Sequence, residues 1–348
     1  MSGMMAAWVQ RGFGGPDVVS REEVRVPVPA SDEVLIRVAA CALNRLDLLQ
    51  RESALVGGFR LPHIAGMDIA GIVVASGGVE GESLLGQSVV LDPVVTCGAC
   101  AWCARDLPGF CPTLRTIGSS RDGGFADYVT APVRNCHLYD AESLSAVDMA
   151  SVPVASVTAW RGLLGAGKLE PGETVVIPGA GSGLGTAGIQ IARARGARVI
   201  ALASGSDKCM RARELGADVA IDRSAGDWVG AARAETSDLG ADLVWDHVGG
   251  AFLQQAIDAC AIGGRVVMSG TTAGNDSTIR NTSIFHYGRT LIGHGGYTRH
   301  DMQATIEAYL CGKLRAVIDS VWDVTALPDA MARLESGNFF GKIVIRSV

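Results

Sequence analysis

The sequence predicts an α/β fold in which a strand-and-turn region precedes a parallel sheet covered by helices on both faces. Three observations predict it. At 348 residues the chain has room for two domains of about 100–200 residues, each with its own core. Residues 1–90 break into short strand-like runs separated by Pro and Gly, and near residue 150 the texture changes to alternating strands and helices. A glycine-crowded turn at 179–185 joins a strand to a helix.

Composition narrows the function classes. Glycine is 45 of 348 residues, about 13% against a usual ~7%, without the triplet repeat of collagen. Apolar residues make up 48%, which excludes a disordered chain. A net charge of −6 and a pI near 5.6 argue against a nucleic-acid or anionic-membrane partner. Nine cysteines, an odd number, and no basic-then-apolar leader point to a reducing, cytoplasmic compartment without a disulfide framework. Residues 174–192 are an uncharged run of membrane-spanning length. Pro178, Gln190 and five glycines interrupt it, so it reads as a buried strand, a tight turn and a helix.

In the first region, 24–28 and 34–40 alternate or run β-branched, 69–75 and 88–91 are apolar strands, and 124–131 is a strand ending at Pro132. Pro27, Pro29 and the Gly77-Gly78 pair mark turns, and a cysteine-rich loop spans 97–111. Residues 145–164 carry helical apolar spacing, with Ser145 as the cap before Asp148. Strands at 174–177, 198–202, 219–221, 243–246, 265–268 and 290–293 follow, with helices at 185–195 and 206–215, the second stopped by Gly216. The tail gives a helix at 302–310, a strand at 317–321, a helix at 327–334 and a strand at 342–345.

The glycine turn reads Gly179-Ala180-Gly181-Ser182-Gly183-Leu184-Gly185. It has the strand–turn–helix context of a dinucleotide fingerprint, one residue longer than the strict G-x-G-x-x-G. Bare backbone N–H groups and the helix dipole favour a pyrophosphate there. An NAD site wants an Asp or Glu at the end of the next strand; here Ala203, Ser204, Gly205, Ser206, Asp207 and Lys208 follow. Ser204 and Lys208 suit a 2′-phosphate, so NADPH is the expected cofactor, and Asp207 reads as a helix cap. Cys97, Cys100, Cys103 and Cys111 have the spacing C-x2-C-x2-C-x7-C. Four thiolates fill a tetrahedral Zn2+ shell, so the site is structural, with no position left for water. An iron–sulfur cluster is the alternative. Cys41, Cys136, Cys209, Cys260 and Cys311 read as core thiols.

Together these features resemble the medium-chain dehydrogenase/reductase family, which includes zinc alcohol dehydrogenases and quinone or enoyl reductases. The resemblance spans essentially the whole chain. Gly14-Gly15-Pro16 and residues 33–38 fit it, and Gly66-Met67-Asp68-Ile69-Ala70-Gly71 matches the segment that carries a His-Glu pair in zinc alcohol dehydrogenases. Thr158-Ala159-Trp160 resembles the nicotinamide-side motif and 341–345 the closing strand. The resemblance implies a mainly β catalytic domain from both chain ends, 1–152 and 297–348, with a zinc lobe at 93–115. A Rossmann nucleotide domain over 153–296 is then inserted between them. It implies cofactor contacts from Arg45, Thr158, Gly181, Ser182, Gly183, Leu184, Val248, Gly270, Thr271 and Gly295. By analogy it also implies a homodimer or homotetramer.

The departures from the family carry the functional expectation. Its catalytic-zinc positions, a Cys, a His and a second Cys, read Asn44, Met67 and Val154, none a good zinc ligand. Its hydroxyl relay falls at Leu46, while Asp47 and Asp68 are retained acids. A metal site rebuilt from Cys41, His63 and Asp68 is the competing reading. Alcohol oxidation needs a Lewis acid; without one, hydride can go to an acceptor that is already activated. Asn44 is the expected donor to the developing enolate, with Asp68 beside it in the catalytic set. Phe59, Met67, Val154 and Tyr297 are the expected walls of a small-molecule pocket, and His294 or Tyr297 the aid to protonation, since 47–60 holds no Tyr. The expected function is an NADPH-dependent reductase of an enone, enoyl thioester or quinone. The alternatives are an alcohol or aldehyde oxidoreductase with an unusual metal site, and an NADPH-binding protein with little catalysis.

Overall fold

Apolar runs between glycine turns become six parallel strands in the middle of the chain: β1 (Thr174–Ile177), β2 (Arg198–Ala203), β3 (Val219–Asp222), β4 (Ala241–Asp246), β5 (Cys260–Met268) and β6 (Thr290–Gly293). The structure, a computed structural model, describes residues 3–55 and 57–347. They divide into two units, Met1–Ala155 with Met302–Val348, and Ser156–Asp301. The expected boundaries after 152 and 296 lie slightly upstream of these.

In the central unit the strand order is β3-β2-β1-β4-β5-β6, every pair parallel. This is the doubly wound order, and its ligand crevice lies where the order reverses, outside the carboxyl ends of β1 and β4. Burial on both faces accounts for the near-continuous apolar strands. Val176, Ile200, Val244 and Val266 are all fully buried. Four helices cover the sheet: α1 (Gly183–Arg195), α2 (Ser206–Leu215), α3 (Trp228–Ala234) and α4 (Phe252–Ala259). Residues 174–192 thus become β1, a turn and most of α1. No helix among the described residues is long and apolar enough to cross a membrane. The sequence reading lacks α3 and α4, which are too short for a helical period to show. Packing holds them, with the Trp228 and Phe252 rings stacked at 5.0 Å.

The expected helix over 145–164 is broken. Ser145 does cap, its Oγ accepting from Asp148 N at 3.1 Å, but the first helix ends at Ala150. Proline lacks an N–H and clashes with the turn before it, so the chain restarts as Pro153–Trp160 and widens into a π-helix over Arg161–Ala166.

The other unit is built on a seven-stranded sheet. Its path runs Ile318–Asp323, Lys342–Arg346, Glu33–Ala42, Asp68–Ser76, Ser88–Leu91 and Cys136–Leu138, and Tyr128–Pro132 also pairs with Glu33–Ala42. Ile36, Ile69, Leu91, Phe125 and Ile345 fill its core. The strand expected at 24–28 lies instead at Val19–Arg25, paired with Met4–Gln10. Pro27 and Pro29 cannot donate to a ladder, and Met4–Gln10 has Met and Ala where β-branched residues would have signalled a strand. Residues 124–127 do not join the sheet as expected; Ala126 makes an isolated bridge to Ala7. Two registers fix the site. Ala42 lies opposite Asp68 on one side and opposite Val344 on the other. The antiparallel ladders therefore carry Asn44, Asp68 and Lys342 to one end of the sheet.

Gly341 sets the start of the closing strand. Its φ of 106° is one L side chains rarely adopt, and a Cβ there would overlap the Val317 carbonyl oxygen. That oxygen accepts from Lys342 N at 2.8 Å. Gly341→Ala is expected to cost about 1–3 kcal/mol, measured as a lower urea midpoint with an unchanged m-value.

Candidate functional site

Asn44 ends the strand Glu33–Ala42 region in extended conformation and caps the helix Arg45–Glu52. Asp47 Oδ2 accepts from Asn44 N at 2.7 Å, the carboxylate half of a capping box. Asp47 is buried and its Oδ1 has no hydrogen-bond partner. That burial pushes its carboxyl up to about 7. Asp68 opens the neighbouring strand. Its Oδ1 accepts from Val154 N at 2.8 Å, and its Oδ2 from Asn44 Nδ2 at 2.9 Å and Lys342 Nζ at 2.8 Å. Lys342 Nζ also donates to Leu43 O and to Asn44 Oδ1, both at 2.8 Å. The side chains of Lys342 and Asp68 are 7% and 0% exposed, so the pair survives burial because each charge meets several partners.

The structure therefore brings Asn44, Asp68 and the Val154 backbone together, with Met67 buried beside Asp68. Arg45 is exposed on the first turn of its helix. Phe59 lies apart from this cluster, its ring 4.8 Å from His63 and 5.7 Å from Phe13. Lys342 is the residue that sequence reasoning missed; its signal was one lysine opening an apolar closing strand. Asn44, Met67 and Val154 do not suit the family's catalytic zinc, offering a committed amide, a thioether and an aliphatic chain. The rebuilt site from Cys41, His63 and Asp68 is also absent. Among the described residues the lobe cysteines form the only group of three or more converging Cys, His, Asp or Glu ligand atoms. Cys41 is enclosed by Gly66 and Gly124, and burial pushes its thiol up.

The cysteine lobe hangs from a two-stranded ladder, Val94–Val95 against Arg115–Thr116. The Sγ atoms of Cys97, Cys100, Cys103 and Cys111 lie within 4.8 Å of one another. Separations of 3.9, 3.5 and 3.7 Å bracket the ~3.8 Å edge of a tetrahedron with Zn–S bonds of about 2.3 Å. Backbone N–H groups of Ala99 and Cys100 point at Cys97 Sγ and hold its thiol below the usual range. The Cys97 N–H does the same for Cys111, whose pKa falls to about 6. Thiolates already favoured by donors are what a structural zinc requires.

In the central unit the glycine turn follows β1. Gly179 has φ 56°, and a Cβ on Gly185 would overlap the Gly179 carbonyl, so both positions need glycine. Ser182 caps α1, its Oγ accepting from Gly185 N at 3.0 Å. Helix geometry leaves the N–H groups of Gly183 and Leu184 without carbonyl partners, a seat for an anion beside Gly181. His247 steadies this turn. Its Nε2 lies 2.8 Å from Pro178 O, and a carbonyl only accepts, so Nε2 carries the proton. Burial lowers its pKa to about 4. Asp246 Oδ1 accepts from Val248 N and Gly249 N, bending the chain at the end of β4. Gly270 presses on the His247 carbonyl, where a Cβ would overlap, and Thr271 beside it is exposed.

At the end of β2, Ser204 Oγ accepts from Arg223 Nε at 3.1 Å. Asp222 beside them spends Oδ1 on Gly205 N and on Ser224. Arg223 was missed because it follows β3, a strand away in sequence from Ser204 and Lys208. The expected role of His294 as a proton donor is corrected. Its Nε2 donates to Thr158 O at 3.1 Å and its Nδ1 accepts from Gly296 N at 3.2 Å. Both nitrogens are spent on holding Thr158 and the Gly295 turn, and burial keeps the ring neutral by lowering its pKa.

Residues 30–141 match the Alcohol dehydrogenase GroES-like domain and 183–310 the Zinc-binding dehydrogenase family. A zinc-type alcohol dehydrogenase-like protein of Schizosaccharomyces pombe is 31% identical over 96% of this chain and 96% of its own. The chain belongs to the zinc-type medium-chain dehydrogenase/reductase family. It is an oxidoreductase of that type. The NAD-dependent alcohol dehydrogenase of Sulfolobus acidocaldarius is 29% identical, over 98% of this chain and 99% of that protein. A solved NAD-dependent alcohol dehydrogenase superposes with TM-score 0.92 at 34% identity, covering 98% of this chain and 99% of that one. Among these dehydrogenases the parallel sheet with a mainly β companion is the shared architecture.

Purified protein is expected to carry about one zinc per chain. Metal analysis well under that ratio would overturn the lobe assignment, and chelation is expected to lower Tm. His247 gives a pH signature. Its native pKa lies below its ordinary 6.5, so the unfolded chain binds the extra proton. The His247 contribution to stability is therefore full above about pH 6.5 and falls as pH drops toward 4. His247→Gln is expected to flatten that slope in urea titrations between pH 7 and 4.5.

Proposed function

We propose that the protein is an NADPH-dependent reductase that delivers hydride to an enone, an enoyl thioester or a quinone without a catalytic zinc. The observation that carries this reading is the Asn44–Asp68–Lys342 cluster. Where the zinc alcohol dehydrogenases place thiolate and imidazole ligands, this chain has the Asn44 amide, the Met67 thioether and the Val154 aliphatic side chain, and the Lys342 ammonium bonds the amide and Asp68. A bound dihydronicotinamide supplies the hydride. The rest of the work falls to the chain.

Gly181, Ser182, Gly183 and Leu184 seat the pyrophosphate. Ser204, Lys208 and Arg223 receive the 2′-phosphate. Ala203, Ser204, Gly205 and Ser206 at the end of β2 include no Asp or Glu to accept from a ribose hydroxyl, which supports NADPH over NADH; the Oδ1 of neighbouring Asp222 is spent on Gly205 and Ser224. Thr158, Val248, Gly270, Thr271 and Gly295 border the nicotinamide half. Addition of hydride to a conjugated alkene places negative charge on the carbonyl oxygen. Asn44 has one N–H beyond those its cluster uses, and it donates to that oxygen. Asp68 holds the Asn44 amide, and Met67 and Val154 lie beside it as walls for the acceptor. Water supplies the proton at carbon, since His294 has no nitrogen to spare.

Alcohol or aldehyde oxidation is the second reading, favoured by the names of the relatives and opposed by the missing ligands. A panel of enones, 1,4-quinones, alcohols and aldehydes, run beside metal analysis, separates the two. NADPH oxidation by an enone or quinone at about one zinc per chain supports the reductase; alcohol oxidation at two zincs per chain, or tighter binding of NADH than NADPH, overturns it. Asn44→Ala is expected to lower kcat by about 100-fold with the Kd for NADPH unchanged. Unaltered kinetics would remove Asn44 from the mechanism.

A further inference from the structure

Lys342 is a three-donor group with three acceptors, Leu43 O, Asn44 Oδ1 and Asp68 Oδ2, each at 2.8 Å. An ammonium has three hydrogens, so none remains for a substrate. The arrangement distinguishes the two ends of the Asn44 amide. Only Oδ1 can accept from the ammonium, and only Nδ2 can donate to the Asp68 carboxylate, at 2.9 Å. Exchanging oxygen and nitrogen would set the NH2 against a cation and the carbonyl against an anion. One Nδ2 hydrogen is left, on the one residue of the three that is half-buried rather than buried. Two bonds fix its direction. An amide whose oxygen is held by a cation is also polarised, which strengthens the remaining N–H as a donor.

We propose that Lys342 is a positioning residue. It locks the Asn44 carboxamide so that the second Nδ2–H meets the oxyanion that forms as the acceptor takes up hydride. The identity of that oxyanion rests on the reductase reading, whereas the lock does not. Lys342 itself touches no substrate. It keeps a positive charge one residue behind the donor, in a centre whose side chains cannot hold a metal. Without it, Asn44 keeps one tether out of two, and Asp68 keeps a buried charge with no cation.

The test has two arms. The first is a double-mutant cycle of wild type, Lys342→Met, Asn44→Ala and the double variant, with the best acceptor of the panel at saturating NADPH. Each single change is expected to lower kcat by about 10- to 100-fold. The double variant is expected to be no slower than Asn44→Ala alone, with KM for NADPH unmoved, because Lys342 acts through Asn44. Losses that multiply describe a merely structural lysine and overturn the proposal. Lys342→Arg, which keeps the charge in a different geometry, is expected to recover part of the loss. The second arm uses wild-type protein alone, labelled with 15N-asparagine. The two side-chain hydrogens of Asn44, assigned by their loss in Asn44→Ala, are expected to exchange with solvent at different rates, the Asp68-bonded one more slowly. Equal rates mean a rotating amide and overturn the lock. If no acceptor is reduced, the reductase reading fails while the exchange measurement still decides the lock.

Discussion

The buried Lys342–Asp68 pair is the interaction on which the β unit's functional end depends. A carboxylate with no exposure is costly unless charge and hydrogen bonds surround it. Here Asp68 receives Val154 N, Asn44 Nδ2 and Lys342 Nζ. Two strand registers make that possible, because Ala42 pairs with Asp68 on one side and with Val344 on the other. A one-residue slip in either ladder would turn a charged side chain to the wrong face. The cluster and the sheet therefore specify each other.

Much of this was legible in the sequence, for reasons that differ by element. The parallel sheet was readable because strands buried on both faces must be apolar, and 174–177 and 290–293 show it with matching bounds. The lobe was readable because metal geometry fixes cysteine spacing. The capping pair Ser145 and Asp148 was readable as local chemistry. Pro153 breaks the helix expected over 145–164 by a rule that is equally local. α3 and α4 were not readable, since packing between Trp228 and Phe252 stabilises segments too short to show a period. Asn44 and Asp68 were found as positions, through resemblance. The partner that completes them was not, because Lys342 reaches them only through tertiary pairing.

The same limit applies at the nucleotide end. Ser204 and Lys208 follow β2 and were visible as a local pattern. Arg223 follows β3 and becomes their neighbour only when β2 and β3 lie side by side. Asp222 ends β3 beside them, and its Oδ1 is committed to Gly205 N and Ser224 N. Charge at a strand end is thus decided by which backbone N–H groups are near, as much as by residue type. His294 shows the converse: a histidine in the expected segment whose two nitrogens are already used.

Lys342 and Asn44 are separated by 298 residues, with the whole nucleotide unit in between. During synthesis, Leu43, Asn44 and Asp68 emerge long before their cation. Until Lys342–Arg346 arrives, the stretch 40–42 of the central strand has an open edge, and a carboxylate meant for the interior has no counter-ion. A nascent chain that stops within the nucleotide unit therefore exposes an unpaired edge and an uncompensated charge. Lys342–Arg346 joins the sheet and brings the cation to Asp68 in one event.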